Sequence, residues 1–349
     1  MPQRAQVSTI MVGAGGRQPP ARPRRQLPIG KPWFRANSSS AMMDTMADMP
    51  TPGAGAGAVA DQRGQIIAAP REVQERLSAA GYLADAATGT VVHLAAALGK
   101  PVLVEGPAGT GKTQLAKSVA VMAGKRLIRL QCYEGLDESK AIYEWDYRRQ
   151  LLQLQLHQNG SGQDLRAAGI FGEDFLLSRP LLAAIRSDEP VVLLIDEVDR
   201  LDMEAEALLL EVLSEYQISI PELGTLTARH IPQVFLTSNN TRDLSEALKR
   251  RCLYLHLGYP STEREAEIVR LHVPELGEHL AAEIAGLVAL LRAADLKKPP
   301  SISETVDWAR TLLALGATGL TDELTRQTLS VLLKYERDIT VGLAELSLA

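Results

Sequence analysis

The chain has 349 residues, enough for one large domain or two modest ones with full cores. It carries 37 Lys and Arg against 42 Asp and Glu, a formal net charge of −5, and the charge is unevenly placed: residues 1–60 carry +5 and the remaining 289 carry −10. A body this acidic lacks the clustered cations that phosphate backbones require, so nucleic acid is not its expected partner. Cys132 and Cys252 are too few for a disulfide framework or a cysteine metal site, and read as small buried residues in a reducing compartment. No apolar run approaches the roughly 20 residues of a membrane-spanning helix. The expectation is a soluble, cytoplasmic protein with no membrane contact.

Residues 1–65 are rich in Pro, Gly, Ala, Ser and Met without helical or strand period, and read as a disordered tail. Their first 43 positions hold several Arg and no acid, a feature shared with organellar transit peptides, while Arg24-Arg25 lacks the apolar stretch of a twin-arginine signal. From Arg71 the apolar residues Val73, Leu77, then Val91, Leu94 and Leu98 recur at helical spacing up to Gly99. The break at Gly81-Tyr82-Leu83 suits either an adenine ring or ordinary core packing.

The run Pro101-Val-Leu-Val104 then leads into Gly106, Pro107, Ala108, Gly109, Thr110, Gly111, Lys112 and Thr113, the pattern G-x-x-x-x-G-K-[ST]. Glycines let the backbone wrap an anion closely, so that N–H groups and the N-terminus of the following helix point at phosphates. In that reading Lys112 reaches the β/γ-phosphates, the Thr113 hydroxyl holds Mg²⁺, and Gln114 completes the ATP-binding set.

Arg126 to Leu130 alternates as a half-buried strand does. Residues 131–162 read as a helical insert whose far end is Gly160-Ser-Gly162, with Tyr143, Trp145 and Tyr147 forming either a local core or a partner surface. A helix is expected from Leu176 to Arg186. Val191-Val-Leu-Leu-Ile195 is apolar throughout, as a central parallel strand is, and ends in Asp196-Glu197. Acids at the carboxyl end of such a strand lie where open α/β sheets bind ligands. Asp196 is placed to act on Mg²⁺ beside Thr113, and Glu197 to polarise an attacking water. A helix from Met203, a hairpin at 217–231, and a strand from Gln233 ending in Asn239 follow. A short helix then carries Arg250 and Arg251, and a strand from Cys252 ends near Gly258. Residues 259–349 are predominantly helical.

This order of features resembles the AAA+ ATPases, and over residues 71–345 it is similar to their MoxR branch. Ile195-Asp-Glu-Val-Asp-Arg200, the helix after it and the 217–231 hairpin carry that resemblance. Cys132-Tyr-Glu-Gly-Leu-Asp-Glu138, Tyr143-Glu-Trp-Asp146 and Ser303-Glu-Thr-Val-Asp-Trp-Ala309 are similar to the subgroup found with carbon monoxide dehydrogenase and related molybdenum hydroxylases.

The resemblance implies an α/β P-loop core at 66–258, a parallel five-stranded sheet flanked by helices, and a small α-helical lid at 259–349. It implies Asn239 as the residue orienting the water, and Arg251 with Arg250 as the arginine finger of a neighbouring subunit in a hexameric ring. It further implies a von Willebrand A-type partner, a client metalloenzyme, and a chaperone role in cofactor maturation. At the start of the third lid helix, where the family carries a sensor arginine, the chain reads Pro300-Ser-Ile-Ser-Glu-Thr305, leaving Lys297, Lys298 or Arg310 as replacements.

Three other readings compete. Asp196-Glu-Val-Asp199 spells a helicase box, but a helicase of that type needs a second RecA-like domain, and the 150 residues that follow here read as mostly helical. An AAA+ clamp-loader or DNA-remodelling subunit is the alternative from the nucleic-acid class. A scaffold that binds ATP without turning it over is opposed by Glu197 and Asn239.

Overall fold

Strand β1 (Val102–Glu105), β2 (Arg126–Gln131), β3 (Val191–Asp196), β4 (Gln233–Ser238) and β5 (Leu253–His256) form one sheet in the order β5-β1-β4-β3-β2, every neighbour parallel. The computed structural model describes residues 59–60, 66–67, 69–158 and 171–348. Most of the tail and the Gly160-Ser-Gly162 turn lie outside the described residues. Val59–Ala60, near the end of the span read as tail, pairs antiparallel with Ile66–Ile67 just beyond it.

The apolar run of β3 is buried on both faces because helices cover the sheet on both sides. On one side Val192 and Leu194 share a core with Val92, Leu115, Val119 and Phe235. These come from α2 (Ala86–Leu98), the P-loop helix α3 (Lys112–Ala123) and β4, and the same core takes Val73 and Leu77 of α1 (Pro70–Ala79). On the other side Leu193 and Ile195 meet Leu181, Ile185, Leu209 and Leu213, the last two from α4 (Met203–Glu215). Register brings the carboxyl ends level: Ser238 lies beside Glu105, and Gln131 beside Asp196. Everything the sequence singles out for chemistry, apart from the two arginines, leaves the sheet at that edge.

The expected helix from Leu176 is corrected. Leu176–Ser178 is a short strand paired antiparallel with Tyr143–Trp145, and the helix spans only Pro180–Ile185. Proline disfavours helical backbone at the residue before it, and Arg179 is extended at ψ 173°. The same pairing settles part of the aromatic cluster. Trp145 is buried, with Tyr143 and Phe171 edge-on to it at centroid distances of 6.1 and 5.7 Å. Tyr147, on the helix Tyr147–Gln158, is 62% exposed.

The chain leaves β5 through residues 257–261 into the lid helices α5 (Thr262–His272), α6 (Glu278–Ala293), α7 (Ile302–Ala314), α8 (Asp322–Leu332) and α9 (Glu336–Glu345). The last of these is an element that helical spacing in the sequence does not separate. The lid has its own core around Ile284, Leu291, Leu312, Leu329 and the fully buried Trp308, whose indole donates to Thr328 Oγ1 at 2.8 Å. A charged knot holds the loop before α7. Arg292 clamps Glu265 through both terminal nitrogens, donates from Nε to Pro300 O at 2.8 Å, and stacks over the Tyr259 ring at 4.3 Å.

Glu265 is buried and the Arg292 side chain is only 9% exposed, so removing the arginine strands a charge in a low dielectric. Arg292→Ala is therefore expected to lower unfolding free energy by about 3–5 kcal/mol, read from urea melts, with the transition involving the lid.

Candidate nucleotide site

The P-loop is built from close approaches that only glycine permits. A Cβ on Gly106 would stand 2.0 Å from Leu257 O, and one on Gly109, at φ +76°, would stand 2.1 Å from Ser301 Cβ. Gly111 enters α3 in the left-handed region at φ 90°. The second contact is a lid contact. Ile302 N–H, the first of α7, donates to Gly109 O at 3.2 Å, so the lid rests directly on the loop.

Lys112 is buried and folds back, its Nζ donating to Gly106 O at 2.8 Å and Pro107 O at 2.7 Å. Burial holds its ammonium below the usual lysine range, opposed by the nearby carboxylates Asp199, Asp196 and Glu197. Thr113 Oγ1 donates to Asp196 Oδ1 at 2.8 Å, which leaves the hydroxyl's lone pairs free to face a cation. Lys112, Thr113 and Asp196 thus occupy one corner of the sheet edge.

Thr237, which nothing in the sequence marks out, joins the two acids. Its hydroxyl accepts from Glu197 N–H at 2.9 Å and donates to Asp196 Oδ1 at 2.5 Å. Glu197 sits in left-handed backbone at φ 59°, with its carboxylate 2.6 Å from Arg200 Nε. Asp199 fixes the loop after β4: its Oδ2 accepts from Asn239 N–H at 3.1 Å, Thr241 N–H at 3.0 Å and Thr241 Oγ1 at 2.6 Å. Asn239 is therefore placed by a residue of the acidic strand end. Arg129 of β2, equally unmarked in the sequence, donates to Asp196 Oδ2 from Nε at 3.1 Å and from a terminal nitrogen at 2.5 Å.

A cleft of about 670 Å³ opens beside the loop, lined by Gly109 to Gly111, Gln114, the Gly81-Tyr82-Leu83 corner, Tyr259 and the α7 face carrying Ile302, Val306 and Arg310. Tyr82 lies at the wall of this cleft, its phenol pushed upward in pKa by burial and then by Asp85. Of the residues considered for the absent sensor arginine, Arg310 lines the cleft. Lys298 is paired with Glu304 at 2.8 Å, and Lys297 lies over the Tyr335 ring at 4.2 Å. The glycine cradle, the Lys112 ammonium and the Thr113–Asp196 pair fit a triphosphate with its Mg²⁺, hard oxygen donors being what that ion takes.

Arg250 and Arg251 do not join this site. They precede β5 at the amino end of the sheet, beside Lys100 and Pro101. The length of β1, about 13 Å for its four residues, separates them from the P-loop of their own chain. Arg251 is held by Ser214 Oγ and by Ala247 O at 2.8 Å. Cys132 is buried, its thiol pushed up to about 12 by burial and then by the nearby acids, which suits the inert role expected of it.

Parallel sheet, P-loop, acidic strand end and helical lid together make an AAA+ fold, and the chain is an ATPase of that class. Residues 101–252 match the family described as the AAA domain, dynein-related subfamily. No curated protein matches the chain. Among solved structures, a point mutant of Thermotoga maritima RuvB aligns at 17% identity and TM-score 0.42, covering 75% of this chain and 68% of that one. Thermotoga maritima RuvB described as the Holliday junction branch migration motor aligns at 18% and 0.40, covering 78% and 72%. Likeness at that level speaks to neither substrate nor partner. Among the described residues, no helix is long and apolar enough to cross a membrane.

Gly109→Ala puts a methyl group into Ser301 and asks alanine to hold a left-handed backbone, a strain of about 1–3 kcal/mol. The expected outcome is a lid lifted off the loop, seen as faster hydrogen exchange at the start of α7 and weakened nucleotide binding.

Proposed function

We propose that this chain is a protein-remodelling ATPase of the MoxR type, acting as a ring, with a metalloenzyme in cofactor maturation as client. One observation carries the catalytic half of this reading: Lys112, Thr113 and Asp196 converge under a lid, while Arg250 and Arg251 stand at the far end of the same sheet. Such arginines have no reach to their own site and suit a neighbour's. The client half rests on the resemblance and on the insert, where Tyr147, Leu151 and Leu152 are exposed, beside the exposed Leu177 on the strand that pairs with Tyr143–Trp145. A von Willebrand A-type partner belongs to the same proposal.

In this reading the loop amides and Lys112 bind the β- and γ-phosphates, Lys112 shifting from its two carbonyl partners. Thr113 and Asp196 hold Mg²⁺, whose charge offsets that developing on the phosphates. Glu197 leaves Arg200, a half-exposed partner worth little as an ion pair, and takes up the water that Asn239 orients. The neighbour's Arg251, with Arg250, stabilises charge on the γ-phosphoryl group. Lid and core shift as the cleft changes contents, moving the insert and the 217–231 hairpin against a client.

A motor acting on DNA is the second reading, branch migration at Holliday junctions being the activity by which Thermotoga maritima RuvB is described. The charge of −10 beyond residue 60 opposes it here. ATP turnover stimulated at least tenfold by DNA, and not by a co-purifying protein, would decide for it.

Glu197→Gln should retain ATP while turnover falls at least about 100-fold, since the proton-accepting carboxylate is gone; near-normal turnover would show that another group activates the water. Arg250→Ala/Arg251→Ala and Lys112→Ala should each be nearly inactive, the finger alone contributing roughly 10³–10⁵ in rate. Mixed together, they should recover activity, because a Lys112→Ala subunit still lends its arginines to an intact P-loop next door. Absence of recovery after subunit exchange would remove the case for a shared site.

A further inference from the structure

Asp196 is 2% exposed, and every acceptor position on its carboxylate is in use. A carboxylate offers about four such positions, two on each oxygen. Oδ1 takes Thr113 Oγ1 at 2.8 Å and Thr237 Oγ1 at 2.5 Å; Oδ2 takes Arg129 Nε at 3.1 Å and an Arg129 terminal nitrogen at 2.5 Å. A buried carboxylate needs a counter-charge, and Arg129 supplies it from the edge strand.

Mg²⁺ brought in with a nucleotide requires a place on the same carboxylate, either directly or through one of its waters. One of the present donors must then leave. Thr113 is itself a ligand candidate and stays with the ion. Thr237 is 1% exposed and also holds the Glu197 N–H, so it has nowhere to turn. The Arg129 side chain is 47% exposed and has water to move into. Two cations on one carboxylate also repel each other, which acts in the same direction.

We propose that Arg129 is the resident counter-cation of Asp196 and competes with Mg²⁺ for it, setting how much metal the site needs before it closes on a nucleotide. This rests on the ATPase reading and adds to it a positioning residue outside the P-loop and the acidic pair. Arg129 also bonds Gln131 Oε1, on the strand that runs straight into the insert. Metal occupancy at Asp196 is thereby felt at the base of that segment.

The test is a Mg²⁺ titration of fluorescent ATP-analogue binding by the full chain. Arg129→Ala should lower the half-saturating Mg²⁺ concentration about tenfold, equivalent to about 1.4 kcal/mol. Its melting temperature in chelator should fall, and Mg²⁺ with ADP should raise it more than in wild type. Arg129→Lys, which keeps the charge and loses the two-pronged contact, should give an intermediate midpoint. Should the alanine form not fold without metal, Arg129→Gln, uncharged and of similar length, gives the same comparison. An unchanged or higher midpoint in the uncharged variants overturns the competition alone. Wild-type protein with no Mg²⁺-dependent binding at any concentration overturns the nucleotide reading with it.

Discussion

A carboxylate taken out of water at the carboxyl end of a buried strand is the constraint around which this site is arranged. Asp196 has to be buried because β3 is an interior strand covered on both faces, and it has to be paired because an isolated buried charge costs several kcal/mol. Thr113 from the P-loop, Thr237 from β4 and Arg129 from β2 all turn to it. Three neighbouring strands and the loop are thereby held in one register, which also sets Glu197 and, through Asp199, Asn239.

The lid enters the same arrangement from the other side. Ser301 is packed so closely on Gly109 that no side chain fits between them, and the Glu265–Arg292 knot holds the segment that presents it. A rigid lid core built on Trp308 can then respond as a body to what the cleft holds. Coupling of this kind needs only one short contact, provided both sides of it are stiff. Where the sequence resemblance leads one to expect a sensor arginine, the contact between lid and loop is the Ile302 N–H on Gly109 O, and Arg310 lines the cleft wall further along.

The two arginines before β5 define a different kind of relation. Their position at the opposite edge of the sheet follows from parallel topology: a strand that starts beside Pro101 and ends beside Glu105 must have its preceding residues far from the loop that Glu105 leads into. The acidic strand ends at one edge and the two arginines at the other are the groups that the proposed head-to-tail assembly would bring together.

How much of this is legible in the sequence depends on the range of the interaction concerned. The P-loop, the apolar strand ending in Asp196-Glu197, the hairpin and the helical lid are each written in contiguous residues, because backbone freedom, burial on two faces and helical period are local properties. Where a local signal misleads, as from Leu176 to Arg186, the cause is local too: Pro180 forces Arg179 out of helix, and the preceding residues find a strand partner. Arg129 and Thr237 carry no such mark. A charged residue on an edge strand and a threonine within a core strand have many ordinary uses. For Arg129 and Thr237, only the parallel register, bringing residues of three separate segments onto one carboxylate, decided which of those uses they have. Contiguous residues are enough to mark the phosphate loop and the acid pair, whereas Arg129 and Thr237 enter the site only through the folded register, because hydrogen-bond partners are chosen by distance in space and not along the chain.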